Sequence, residues 1–104
     1  MLDLTEYTFV GSKATGSATT TWTVSLSAGQ TLIVGITGSS ISYKSNDVTL
    51  GNIVLSGEAN GVVDSSSGNI TYFHKLKYYK IKIPNAITSI TVPVRTTVYL
   101  WEKS

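Results

Sequence analysis

Cysteine is absent from this 104-residue chain, which excludes disulfide bridges, thiolate metal ligands and a thiol nucleophile together. His74 is the only histidine, so a site built from several imidazoles cannot form within one chain. Charged residues make up 13% of the sequence, too few for a surface dominated by one sign. The longest apolar stretch, LIVGI from Leu32 to Ile36, is far too short for a membrane-crossing helix. The opening MLDLTEYTFVGSK holds two acids and no basic segment leading into an apolar run, so it does not read as a secretory signal. Synthesis in the cytoplasm as a complete product is expected, which leaves the Asn69-Ile70-Thr71 sequon unused.

What the chain has instead is Ser and Thr, 29 together, and Val and Ile, 19 together. β-branched and hydroxylated residues suit pleated strands with one wet face, and the Ala, Glu and Leu wealth of helical proteins is missing. The length fits one domain with one core. The net charge of +2 and pI near 8.9 come largely from one cluster, so general affinity for nucleic acid is not implied.

Apolar residues alternate with polar ones in short segments every ten residues or so, the spacing of an all-β sandwich or barrel. TEYTFV is expected as a first strand, followed by a flexible turn, GSKATGSA. TTTWTVSLS then sets Trp22, Val24 and Leu26 on one face and Thr21, Thr23, Ser25 and Ser27 on the other. AGQ turns the chain into TLIVGIT, an almost unbroken apolar run suited to a central strand covered on both faces. ISYKS and DVTLGNIVL follow, and the alternation changes phase at Gly51-Asn52, as it does at a bulge or tight turn. SGEANGVVDSSSGN reads as an exposed loop around a short strand at Val62-Val63. A basic aromatic strand, a PNA turn, ITSITVPV and TTVYLWE complete the chain. Pro93 has no N–H to donate, which assigns it to an edge strand or an outward position.

The basic aromatic stretch, YFHKLKYYKIKI from Tyr72 to Ile83, contains four of the eight cationic residues. Its alternation slips once between Tyr78 and Tyr79, where a bulge would keep Leu76, Tyr78, Ile81 and Ile83 inward and turn Lys75, Lys77, Lys80 and Lys82 outward. Outward lysines discourage edge-to-edge pairing with other chains. The same lysines, with Tyr72, form a candidate binding surface for a polyanion or acidic glycan. Trp101 joins them as a candidate sugar-stacking aromatic, whereas Trp22 alternates in step with Val24 and Leu26 and reads as core.

Serines are plentiful, but none lies in a G-x-S-x-G elbow, and the six acids are scattered without the spacing of a calcium loop. No glycine-rich phosphate loop opens a helix. No catalytic residue, cofactor or metal is therefore assigned, and a non-enzyme is expected.

Three passages in order, TTTWTVSLSAGQTLIVGITG, VTLGNIVLSG and LKYYKIKIPNAITSITVPVRTTVYLWE, resemble the plan of small jelly-roll modules in bacteriophage structural proteins and some bacterial surface proteins. In such modules a small turn leads to a central apolar strand, then a hairpin, an aromatic strand and a closing pair. The resemblance implies an antiparallel β-sandwich of eight or nine strands. It also implies a virion building block, a head-decoration or tail-accessory protein. Its partners would be other virion proteins or copies of itself in a homo-oligomer, a trimer being one form. A carbohydrate-binding module or adhesin domain with a glycan ligand is the alternative expectation.

Overall fold

A computed structural model describes residues 4–38, 48–55, 61–63 and 76–103. They form nine strands: β1 (Tyr7–Ala14), β2 (Thr20–Leu26), β3 (Thr31–Gly38), β4 (Val48–Leu50), β5 (Ile53–Leu55), β6 (Gly61–Val63), β7 (Leu76–Lys82), β8 (Ile87–Val92) and β9 (Thr96–Lys103). No helix occurs among the described residues.

The pairing is nested, β1 with β9, β2 with β8, β3 with β7 and β4 with β5, and every pair is antiparallel. The chain is thus one long two-stranded ribbon closed at its tip by the β4–β5 hairpin. Folding the ribbon over itself brings β3 beside β9 and β4 beside β8. The result is two sheets, β1-β9-β3-β7-β6 and β2-β8-β4-β5. With β6 set aside as an addition next to β7, this is the strand order of a jelly-roll sandwich.

The tip and one corner depend on glycine. Gly51, at φ 57°, takes the first central position of the two-residue β4–β5 turn, where few side chains tolerate a positive φ. Gly29, at φ 84°, sits third in the Ser27–Gln30 turn between β2 and β3, whose closing bond runs from Gln30 N–H to Ser27 O at 3.3 Å. The Gln30 side chain secures that corner, accepting from Ser27 N–H and donating to Glu102.

Alternating side chains from both sheets meet in one aliphatic core. Leu32, Val34, Ile36, Val48, Leu50, Ile83, Ile90, Val92, Val98 and Leu100 are each at most 1% exposed. Trp22, Val24 and Ile81 pack against them from the margin, so Trp22 belongs to the core as its alternation indicates. β3 is covered on both faces, with Ile33 buried on the outer side, as its unbroken apolar run requires.

Three expectations are corrected. β1 runs on to Ala14 instead of ending at Val10, because a bulge between Phe9 and Gly11 resets its register against β9. β7 pairs with β3 without interruption from Ile36↔Lys77 to Thr31↔Lys82, so the proposed slip at Tyr78-Tyr79 does not occur. Tyr79, Ile81 and Ile83 face the core, Lys77 shares their side, and Tyr78 turns outward with Lys80 and Lys82. Pro93 lies past the end of β8 in the turn to β9, where its carbonyl accepts the Thr15 hydroxyl. ISYKS falls outside the described residues.

That last turn contains Arg95 at φ 51°, a left-handed conformation uncommon for a residue with a Cβ. Its amide donates to Gly16 O at 2.8 Å, and Thr15 bonds both ways with the Thr96 backbone, which fixes the geometry. Arg95→Gly is expected to raise stability by about 1 kcal/mol through relief of this strain. Leu100→Ala, which empties part of the core, is expected to lower it by about 2–5 kcal/mol. Urea denaturation followed by fluorescence checks both; a shift of either midpoint in the opposite direction contradicts the packing described here.

Candidate functional site

The two outer faces of the sandwich differ in chemistry. On the five-stranded sheet the outward positions of β1, β3, β7 and β9 place Tyr7, Phe9, Ile33, Tyr78, Tyr99 and Trp101 in one cluster, with Leu4 laid across it. Trp101 lies at its centre, its ring 5.5 Å from Phe9 at a tilt of 55° and 6.2 Å from Tyr99 in a stacked arrangement. Only 1% of Trp101 is exposed. It is therefore corrected from a candidate sugar-stacking surface to the buried centre of a second, smaller core. An aromatic so fully buried has no face left for a ring ligand.

Lys80 and Lys82 are exposed on this same side. Lys77, on the opposite side of β7, places its Nζ 6.0 Å from the Tyr79 ring centroid. Tyr72 and Lys75 lie outside the described residues. The lysines consequently do not form the single outward row expected of them. β6 pairs only with Leu76–Tyr78, so no described strand pairs with the far side of Tyr79–Lys82, and there the exposed Lys80 and Lys82 suit an edge guard.

A shallow depression of about 300 Å³ lies between Thr5, Glu6, Tyr7, Lys80 and Lys103. Lys103 and Glu6 form an ion pair across it at 3.7 Å, exposed enough to add little stability. The Tyr7 hydroxyl is buried and has no hydrogen-bond partner among the described residues. An unsatisfied buried hydroxyl is a cost, and nothing charged or polar in the depression answers it.

The four-stranded sheet is the opposite case. β2, β4, β5 and β8 contain no charged residue at all. Thr21 pairs with Thr91, Thr91 with Thr49 and Thr49 with Val54, so one outward row of hydroxyls and a valine crosses all four strands. Thr23 and Ser89 form a parallel row beside it. Val54 is 54% exposed, unusual for a valine in a strand. A neutral surface of hydroxyls, each able to donate and accept, is suited to contact with another protein, because interface centres are depleted in charge.

Among the described residues no group of three or more His, Cys, Asp or Glu could hold a metal ion. No described helix is long and apolar enough to cross a membrane. No protein-family model, curated protein or solved structure matches the chain.

Two outcomes test the aromatic cover. Tyr7→Phe removes an unanswered hydroxyl and is expected to leave stability equal or higher by up to about 1 kcal/mol; a loss would mean the hydroxyl has a partner. Burial pushes the Tyr99 phenol above its ordinary value of 10.0. A raised folded-state value contributes stability that is present below pH 10 and is lost as pH climbs through the folded value. The melting temperature should therefore fall above pH 10, and Tyr99→Phe should flatten that fall; an unchanged profile would show that Tyr99 is not the group responsible.

Proposed function

We propose that this chain is a non-enzymatic structural module of a virion, a head-decoration or tail-accessory protein that acts by assembling with other virion proteins or with copies of itself. The virion setting is supported by the resemblance of the three sequence passages to bacteriophage modules and by the jelly-roll order, which viral capsid domains use repeatedly. That support is analogy of fold. The single observation that carries assembly is the neutral hydroxyl face of β2-β8-β4-β5, a surface whose burial strands no charge.

The glycan-binding alternative relied on Trp101 as a platform, and its burial removes that platform. A polyanion surface would need the lysines in one row, which β7 does not provide.

Sedimentation velocity over a wide concentration range tests the assembly reading. The expected result is a species larger than the monomer that persists at high salt, because a neutral contact is not screened. Monomer throughout, together with no co-sedimentation with capsid or tail proteins, would overturn it.

A further inference from the structure

The sheet edges distinguish where a second copy can attach. A strand edge offers unpaired N–H and C=O groups, and its natural partner is another strand. β5 and β6 are three residues each, too short to hold a partner. The stretch of β7 beyond its pairing with β6 carries exposed Lys80 and Lys82. β1 is long, but it carries Lys13, is interrupted by its bulge, and begins beside the Glu6–Lys103 pair. β2 is seven residues long with neither charge nor proline. Its ladder to β8 runs regularly from Thr20↔Val92 to Thr23↔Ser89 before a bulge ends the regular part at Leu26.

Charge decides between these edges for a symmetric contact. Across a two-fold axis each residue near the axis meets its own copy, so a lysine meets a lysine and is repelled. Among the longer described edges, β2 is the one that brings no like charges together. Its outward Thr21 and Thr23 would meet hydroxyls that both donate and accept, a favourable cross-strand pairing.

We infer that two copies of this chain join antiparallel along the Thr20–Thr23 edge of β2, merging their four-stranded sheets into one eight-stranded sheet with a continuous neutral face. This rests on the assembly reading and adds an edge contact that leaves the hydroxyl face itself open to other partners. The edge is short, so the dimer forms at high concentration and dissociates on dilution. Trp22, half-buried in the middle of the pairing stretch, reports the contact.

The test uses the full chain and two charge variants, Thr21→Lys/Thr23→Lys and Thr21→Glu/Thr23→Glu. Both positions are exposed, so melting temperatures should stay near that of the unaltered chain. Sedimentation should show a dimer for the unaltered chain, at least tenfold weaker association for each variant alone, and recovery in an equimolar mixture of the two. Hydrogen exchange on the unaltered chain gives an independent reading: amides within Thr20–Thr23 should gain protection as concentration rises. Dimerisation of the variants at unaltered strength, a closed trimer, or protection independent of concentration would overturn the β2 contact while leaving assembly standing. A monomer at every concentration would remove the β2 contact, and would remove the assembly reading as well if the chain also fails to co-sediment with capsid or tail proteins.

Discussion

The structure is closed by burial and hydrogen bonding without a covalent crosslink, and the place where it closes is β9. This strand lies between β1 and β3, so residues near the two ends of the chain meet, as in Tyr7↔Lys103. Its two faces have different tasks. Val98 and Leu100 enter the aliphatic core at 0% exposure, while Trp101 anchors the aromatic cover on the other side at 1%. With no disulfide to hold the sheets, these contacts and the Thr15–Thr96 backbone clamp keep the ribbon folded on itself. Such long-range pairing requires closing large loops before any contact rewards it, which makes slow folding the physical expectation.

From this closure follows a division of labour between the sheets. The five-stranded sheet needs a cover because its outer side carries six large apolar or aromatic groups, and it supplies that cover from its own Leu4, Phe9, Tyr78 and Tyr99. Its strands hold the charges as well: Lys13, Lys77, Lys80, Lys82, Glu102 and Lys103. Among the described residues the four-stranded sheet has no such aromatic cover, and its strands hold no charge. A surface of that kind is hydrated through its hydroxyls, yet loses little when a matching surface replaces the water.

Much of the fold was legible because strict alternation allows one arrangement. TTTWTVSLS fixed both faces of β2, TLIVGIT announced a strand buried on two sides, and the phase change at Gly51-Asn52 marked the hairpin tip. The errors came where two registers were both plausible. In YFHKLKYYKIKI a tyrosine fits either face, since its ring packs and its hydroxyl can reach water, so Tyr78 and Tyr79 gave no register. The uninterrupted ladder to β3 chose Tyr79 as the inward one. GSKA looked like a turn because Gly11 and Ser12 are turn residues, but a bulge lets the strand continue through them. The neutral face could have been found by marking charges strand by strand; composition alone conceals it, because a low total charge does not say which sheet is empty.

Residue-resolved amide hydrogen exchange tests the closing role of β9 most directly. The slowest amides should be those of Leu32–Ile36 and Val98–Trp101, exchanging only when the whole domain unfolds, with β1 and the hairpin tip opening sooner. If the β9 amides exchange as readily as those of the Gly16–Thr19 turn, the chain is not held together in this way.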